Sequence, residues 1–498
     1  MKPVTLMFLL LLACAVPVLA EPPATRPRVL LTLADSPASL RAQLLAYADS
    51  AADAGARAGA GEALGYAGTS FQREGRLDSA IVCHRRAFGL LDDEDALLRL
   101  VDQLLLRRGA GDAAEAIRLL AAAQENSELA APPALVGRIA WARFLQGKPD
   151  TAAALFATVE RRLLPYNEWR YRLARVALAN RDYHRVVELL MPSAVRSRGT
   201  DDEVIGMLEQ AGKELGATPR IQAEVLREST ARDRSEAALA AALGGRLLEL
   251  TASDAFPLGG LLVPATAPSR AGAPRRAPAL LAVVLMAPGD TLAAGDSLAL
   301  ALRRHGLTTL LLYPRGYGAS VGPSCPSPDA WFDREAALQE RIASDVSDVV
   351  RRVRRVTPVD STRYLVVGVG ASATMAVEAA ALDPRVKALL LVSPAPAPVD
   401  RGLTRARLAR LHLPVFFQVA PDDFDASLAV TDVFYQAGDR AASRVVESGT
   451  GGQGLDQFRY DPGLAGRFLT WLDATLRPAP PPPAATPRRS TPPAPRRR

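Results

Sequence analysis

The side chains that could carry out nucleophilic catalysis are few in this chain of 498 residues. A serine nucleophile needs a base within hydrogen-bond reach, commonly a histidine that an acid orients. The whole sequence contains only four histidines, at positions 84, 184, 305 and 412. Candidate serine and acid residues are Ser372, just beyond a predicted strand, and Asp422 or Asp423, just beyond another. The scarcity of histidine therefore limits triad chemistry before any fold is assigned.

The first half of the chain has the composition and period of a helical repeat. Between residues 38 and 240 alanine, leucine and arginine dominate and proline is sparse. Small or apolar residues recur at a period near the 34 residues of tetratricopeptide repeats, at Ala80, Ala116, Ala152 and Val186. Residues 64–92 resemble such a unit most closely. We expect four copies to stack as an α-helical solenoid, with a helical extension to about Arg232, because one helix pair cannot bury its apolar face alone. A generic helical bundle is the alternative.

The second half, residues 245–477, alternates short β-branched runs with helical stretches, which is typical of an α/β domain with a mostly parallel sheet. Eight strands are predicted, at residues 247–251, 258–263, 280–286, 308–313, 363–367, 388–392, 415–419 and 444–447. We expect the two domains to fold independently, with protease-sensitive sites near residues 233–246 or in residues 264–278.

Three stretches of the second half resemble the α/β-hydrolase family. The third predicted strand ends in Met286-Ala287-Pro288-Gly289, where family members carry an apolar residue, His and Gly. Residues 302–320 (LRRHGLTTLLLYPRGYGAS) are similar to the family's helix, fourth strand and Asp-x-Arg-Gly-x-Gly-x-Ser segment. Residues 364–373 (YLVVGVGASA) resemble the nucleophile elbow, Gly-x-Ser-x-Gly. The resemblance implies an eight-stranded α/β-hydrolase fold.

The same resemblance implies that the nucleophile is lost. It aligns Gly370 with the catalytic serine, between Gly368 and Ser372 at the positions that must be small. Glycine has no side chain with which to attack a carbonyl. Ser372 is the alternative nucleophile, but it lies two residues further along, about 200° around the helix. The backbone N–H groups of Gly289 and Ala371 are the expected oxyanion donors.

The base position is degenerate as well. Gln453 stands in a glycine-rich stretch where the family's histidine is expected, and its amide takes no proton near neutral pH. Asp423 falls at the acid position, with Asp422 as the near alternative. His305 closes the helix before the fourth strand, and His412 precedes the seventh, so both are expected at the edge of the sheet opposite the catalytic loops.

Both ends of the chain have features of an exported protein. Residues 1–20 have the basic start, the apolar stretch and the small-residue cleavage site of a signal peptide. Alternatively, residues 11–14 resemble a bacterial lipobox, which predicts that Cys14 carries a lipid anchor. Residues 21–37 are predicted to be a linker, and the Pro/Arg-rich residues 478–498 a disordered tail. We expect a periplasmic or extracellular protein with no transmembrane segment in the mature chain.

Charge and cysteine content exclude further classes. The formal charge is +7, but five arginines lie in the tail, so the remainder carries only +2. A nearly neutral body argues against nucleic-acid binding. Cys83 and Cys325 fall in different predicted domains and are expected to be inert thiols. No metal or other cofactor is expected.

These observations lead to the hypothesis of an exported pseudoenzyme. The repeat domain would bind a protein or peptide partner on its concave face. The hydrolase-like domain would be a structural or ligand-binding module, with a small ester or acyl compound as its ligand. The alternative is an esterase or peptidase-like hydrolase with an altered active site.

Overall fold

A computed structural model describes residues 37–125, 132–163, 167–266, 278–322, 335–395, 401–434, 441–449 and 451–476. The predicted signal peptide with Cys14, the linker up to residue 36, Cys325 and the tail 478–498 lie outside these ranges. Within them, no helix is both long enough and apolar enough to cross a bilayer.

The described part of the first half is entirely helical. Its helices are α1 (Pro37–Asp53), α2 (Arg57–Arg73), α3 (Leu77–Leu91), α4 (Glu94–Arg107), α5 (Asp112–Glu125), α6 (Pro133–Leu145), α7 (Pro149–Leu163), α8 (Asn167–Ala179), α9 (Tyr183–Arg196), α10 (Asp202–Glu214) and α11 (Thr218–Ala242). From α2 onward they form pairs whose connecting turns each contain a left-handed residue, namely Gly75, Gly111, Gly147, Arg181 and Gly216. These turns recur every 34 to 36 residues, which matches the period in the sequence.

The residues predicted at the centre of each copy are buried. Ala80, Ala116, Ala152 and Val186 are each 0% exposed. Small side chains there let neighbouring helices approach closely, and helices adjacent in the chain pack on one another throughout. The predicted helical N-terminal half is confirmed at this level.

The end of the helical half differs from the prediction. The expected extension beyond the fourth copy is a fifth helix pair, α10 and α11, and α11 continues past Arg232 to Ala242. The predicted domain boundary at residue 240 lies two residues before the end of this helix. The physical reason is burial, because Ala240 and the following Leu243 belong to the apolar core of the second half.

The second half is built on a single described sheet of eight strands. They are β1 (Arg246–Thr251), β2 (Pro257–Val263), β3 (Ala279–Leu285), β4 (Thr308–Leu312), β5 (Val359–Val369), β6 (Val386–Val392), β7 (Val415–Val419) and β8 (Arg444–Glu447). Their order is β1-β2-β4-β3-β5-β6-β7-β8. Only β1 with β2 and β2 with β4 pair antiparallel, and the other pairs are parallel. This is the topology of the α/β-hydrolase fold.

All eight predicted strands are present, and β5 differs most from its prediction. It begins at Val359 rather than Arg363. Its first residues include the polar Asp360, Ser361 and Thr362, so hydropathy does not reveal them. They precede a register shift, where β3 pairing passes from Val359 to Tyr364.

Helices cover both faces of the sheet. They are α12 (Asp296–Arg304), α13 (Glu335–Val356), α14 (Ser372–Leu382), α15 (Arg401–Leu411), α16 (Phe424–Ala429), α17 (Gln457–Tyr460) and α18 (Pro462–Leu476). Buried residues of α13, α14 and α15 form one core with the sheet. Those of α12, α18 and the end of α11 form the other. The sheet therefore lies between two packed layers of helices, and the candidate site is at the carboxyl ends of its parallel strands.

His84 gives the helical half a predicted pH dependence. It is 1% exposed, both ring nitrogens lack partners among the described residues, and burial lowers its pKa to about 4. Between pH 6.5 and pH 4 the unfolded chain binds a proton that the folded protein does not, so stability falls as pH decreases through this window. We expect His84→Leu to remove on the order of 3 kcal/mol of that acid-induced loss. Urea titrations at pH 7 and pH 4.5 measure it.

The matched control for this prediction is His184→Gln, because His184 is exposed on α9. It should keep the wild-type pH dependence. Equal pH dependence in both variants and the wild type would contradict the assignment to His84.

Candidate functional site

The candidate site lies where the parallel strands β3, β5, β6 and β7 end. In open α/β sheets, the loops beyond the carboxyl ends of the strands form the crevice in which ligands bind. Here those loops contain Gly289, Gly370, Ser393 and Asp422, and the segment after β8 (residues 448–457) joins them. We call this region the crevice.

The turn from β5 into α14 brings helix and strand into close contact. A Cβ on Gly368 would lie 2.6 Å from the Cα of Ala373 and 2.7 Å from the Cβ of Ala376, so only glycine fits there. Gly370 has a φ of +56°, in the left-handed region. Its N–H donates to the carbonyl of Val392 at 2.9 Å, and its own carbonyl accepts from the N–H groups of Ala373 and Ala395 at 3.1 Å each. Hydrogen bonds thus fix the backbone of Gly370 at the apex of the elbow, where there is no side chain.

Ser372 is placed away from the crevice opening. It is 0% exposed, and its Oγ donates a 2.7 Å hydrogen bond to the carbonyl of Met286 at the end of β3. This bond fastens α14 to the neighbouring strand. A hydroxyl that is buried and already donating has a packing role.

The two candidate acids do different things. Asp423 is 7% exposed and caps α16, its Oδ1 accepting from the N–H of Ala426 at 3.2 Å. Asp422 instead reaches the segment after β8, where its Oδ1 accepts from the N–H of Gly452 at 3.1 Å. The acid next to Gln453 is therefore the alternative, Asp422. The side chain of Asp423 instead caps the N-terminus of α16.

A buried hydrogen-bond network occupies the ends of β6 and β7. The Nε2 of Gln418 donates to the Oε1 of Gln457 at 2.8 Å, and the Nε2 of Gln457 donates to the Oγ of Ser393 at 2.7 Å. The N–H of Gly454 also donates to Ser393 Oγ, at 3.0 Å. Both glutamines are 0% exposed. Gln453 is exposed and lies outside this network, so Gln457 is the buried glutamine of the segment.

Asp290 is the crevice residue whose pKa departs most from its ordinary value. It follows Gly289 in the loop after β3, and its Oδ2 lies 3.9 Å from where a Cβ on Gly454 would be. Burial first, and then the nearby charge of Asp456, raise its pKa to about 6, against a smaller opposing effect of a backbone hydrogen bond with Ala287. Such a carboxyl exchanges its proton near neutral pH, as a general acid or base must.

The expected oxyanion donors lie in the loop after β3 and at the start of α14. Gly289 has a φ of +89°, and Ala371 precedes the first residue of α14. Neither N–H has a hydrogen-bond partner among the described residues. The structure thus leaves two backbone donors unused at the edge of the crevice.

The histidines of the second half lie at the other edge of the sheet. His305 ends α12 before β4, and its Nε2 lies 3.0 Å from Asp473 Oδ1 on α18. His412 lies just before β7. Neither is at the carboxyl ends of the strands. Within the described ranges, no three His, Cys, Asp or Glu residues are grouped so as to hold a metal ion.

Comparison with known proteins gives partial matches to hydrolases. No family model matches the chain. The thiohydrolase apmlB of Arthrinium phaeospermum is 31% identical over 120 residues, which are 24% of this chain and 36% of that protein. The chain therefore matches only about a third of the length of this curated relative.

The solved structures that match this chain include an esterase of Pyrococcus furiosus, with 13% sequence identity and a TM-score of 0.36. It covers 48% of this chain and 94% of its own. An α/β hydrolase of Penicillium sp. sh18 is 18% identical with a TM-score of 0.34, covering 47% and 99%. The fold assignment itself rests on the strand order described above.

Sequence reasoning did not identify Ser393, Gln418, Gln457 or Asp290 as crevice residues. Two of them carry a signal that could have been used. Gln418 is a polar residue inside the otherwise apolar strand β7, which indicates a buried hydrogen bond. Asp290 directly follows the predicted oxyanion loop. Ser393 and Gln457 have no comparable sequence signal.

The elbow predicts a contrast between its two glycines. Gly370→Ser places a residue at a left-handed φ, which costs roughly 1–2 kcal/mol, and its Cβ meets only Ala287, at 3.3 Å. Gly368→Ala drives a methyl group into α14 and should cost more, about 3 kcal/mol. Urea unfolding of the two variants measures the difference. Equal costs would show that α14 does not pack on β5 as closely as described.

Proposed function

We propose that this protein is an exported, non-catalytic pseudoenzyme of the α/β-hydrolase fold. Its helical half binds a protein or peptide partner, and its hydrolase-like half is a ligand-binding or structural module. The observation that carries the proposal is Gly370 at the apex of an intact elbow. The backbone geometry for a nucleophile is present, and the nucleophile is absent.

The surroundings of Gly370 support the same conclusion. A hydroxyl at this position would find no histidine at the carboxyl ends of the strands. The Ser393, Gln418 and Gln457 network contains only amides and a hydroxyl, none of which takes a proton near neutral pH. Serine hydrolysis needs both an attacking hydroxyl and a base to activate it.

The crevice retains features that suit a bound ligand. The N–H groups of Gly289 and Ala371 have no partner among the described residues, so they can donate to a carbonyl oxygen. A small ester or acyl compound offers the matching carbonyl acceptor. Binding without turnover would use these donors alone.

The partner-binding role is proposed for the helical half. Five helix pairs with turns at intervals of 34 to 36 residues are consistent with tetratricopeptide repeats. Stacked repeats of that kind present an extended concave groove, the usual place for a partner peptide or helix. Export to the periplasm or cell surface, with Cys14 as an alternative lipid anchor, belongs to the same proposal.

One observation favours a second candidate, a hydrolase with an altered active site. Asp290, with a pKa of about 6, has the protonation behaviour of a general base at neutral pH. In that mechanism Asp290 would activate water, and the donors Gly289 and Ala371 would stabilise the oxyanion. Asp290→Asn would abolish such an activity.

Ester turnover tests the proposal against this alternative. The wild-type protein should neither hydrolyse a short p-nitrophenyl ester nor react with a fluorophosphonate probe. Gly370→Ser alone should stay inactive because it lacks a base, whereas Gly370→Ser combined with Gln453→His should gain measurable turnover. Ser372→Ala tests the alternative nucleophile: it loses the hydrogen bond to Met286 and therefore some stability, but like the wild type it should show no turnover. Wild-type turnover that Asp290→Asn abolishes would replace the proposal with the alternative.

Crosslinking tests where a partner binds. When the full chain captures a protein from a cell-envelope extract, crosslinks should fall on α2 to α10. The exposed polar side chains of these helices are the groups available for contact with a partner. Crosslinks confined to residues 279–476 would instead make the hydrolase-like half the recognition element.

A further inference from the structure

The two halves of the chain meet through a buried polar contact. Glu236, on α11 of the helical half, is 7% exposed, and its Oε1 accepts a 2.8 Å hydrogen bond from the hydroxyl of Tyr313. Tyr313 follows β4 and is 0% exposed. Burial raises its pKa to about 12, so the phenol keeps its proton and remains the donor to Glu236.

The same hydroxyl also contacts the loop that borders the crevice. Tyr313 Oη accepts a 3.2 Å hydrogen bond from the N–H of Leu292. Leu292 begins a 3-10 turn, Leu292–Gly295, directly after Gly289, Asp290 and Thr291. One phenol therefore joins a helix of the first half to the segment carrying an oxyanion donor and the titratable Asp290.

The Tyr313 ring is itself tightly enclosed. A Cβ on Gly318, whose φ is +54°, would lie 2.3 Å from the ring, so the turn after β4 lies directly against it. Arg198, after α9, donates to the carbonyl of Gly318 at 3.3 Å and pairs with Asp233 of α11 at 2.6 Å. Tyr313 thus has little freedom to move without α11.

We propose that Glu236, acting through Tyr313, positions the Gly289–Asp290 loop, so that the crevice takes its described shape only when α11 is docked on the sheet. Both are positioning residues, because neither reaches the reacting or ligand-binding position. A partner that displaces α11 would loosen this loop. The helical half would then regulate the crevice, whose role as a ligand site rests on the proposed function.

The carboxyl of Asp290 reports on the loop without any ligand. In the described position it is half-buried near Asp456, and release of the loop would expose it further to water. In full-length protein with labelled aspartate, assigned with Asp290→Asn, carbon NMR should give a pKa near 6 for the wild type. Tyr313→Phe should lower it by about one unit or more, toward the ordinary aspartate value. Glu236→Gln should lower it by a smaller amount.

Hydrogen exchange of the segment around Leu292 is the second readout. Tyr313→Phe removes the acceptor of the Leu292 N–H, so exchange should accelerate by roughly tenfold or more. Arg303→Gln is the matched control. It removes another bond across the same interface, from Arg303 to the carbonyl of Leu243, without touching Tyr313. It should leave both the Asp290 pKa and the exchange unchanged.

The outcomes separate this inference from the proposed function. An unchanged Asp290 pKa and unchanged exchange in Tyr313→Phe would overturn the inference. The loop would then be held by Arg459, which donates to the carbonyl of Ala293 at 3.0 Å. Equal effects of Tyr313→Phe and Arg303→Gln would overturn it too, because they would show general loosening of the interface. Ester turnover by the wild type would contradict only the proposed function.

Discussion

A buried hydrogen bond between Tyr313 and Glu236 joins the two halves of the chain. A carboxylate removed from water is costly unless it is paired and hydrogen-bonded. Arg232 of α11 and Arg198 after α9 approach Glu236 at 3.4 and 3.5 Å from within the helical half, and Tyr313 adds a donor from the sheet when α11 is docked. Undocking α11 would leave Tyr313 without this acceptor and would expose the apolar Ala240 and Leu243. The last helix of the repeat region is therefore part of the core of the hydrolase-like half.

The backbone geometry of the elbow is set without any side chain at its apex. The sharp turn at Gly370 follows from close packing at Gly368 and from the bond between Ser372 and Met286, neither of which involves a nucleophile. Packing constraints of this kind are independent of the side chain at the apex. A fold accordingly says little about activity, which resides in particular side chains.

The crevice contains two kinds of polar group. One is a set of side chains fixed by hydrogen bonds to one another, and the other is a carboxyl with a raised pKa. Ser393, Gln418 and Gln457 bond to one another across β6, β7 and the segment after β8, so these side chains are held in place. Asp290 is only partly buried and lies near a like charge, which raises its pKa to about 6. Binding of a ligand donor or cation beside Asp290 would favour its charged form, so ligand affinity there would depend on pH near neutrality.

The amino-acid sequence by itself determined the helical first half, the eight strands and the absence of a histidine from the crevice. These depend on local periodicity, on composition and on residue identity, all of which can be read along the chain. Tertiary structure alone decided that Asp422 rather than Asp423 contacts the Gln453 segment, that Gln457 rather than Gln453 is buried, and that α11 runs on to Ala242. Each of these depends on contacts between residues 30 or more positions apart, such as Asp422 with Gly452, Gln418 with Gln457 and Glu236 with Tyr313. Local patterns carry no information about which distant groups meet, because that is set by how the layers pack.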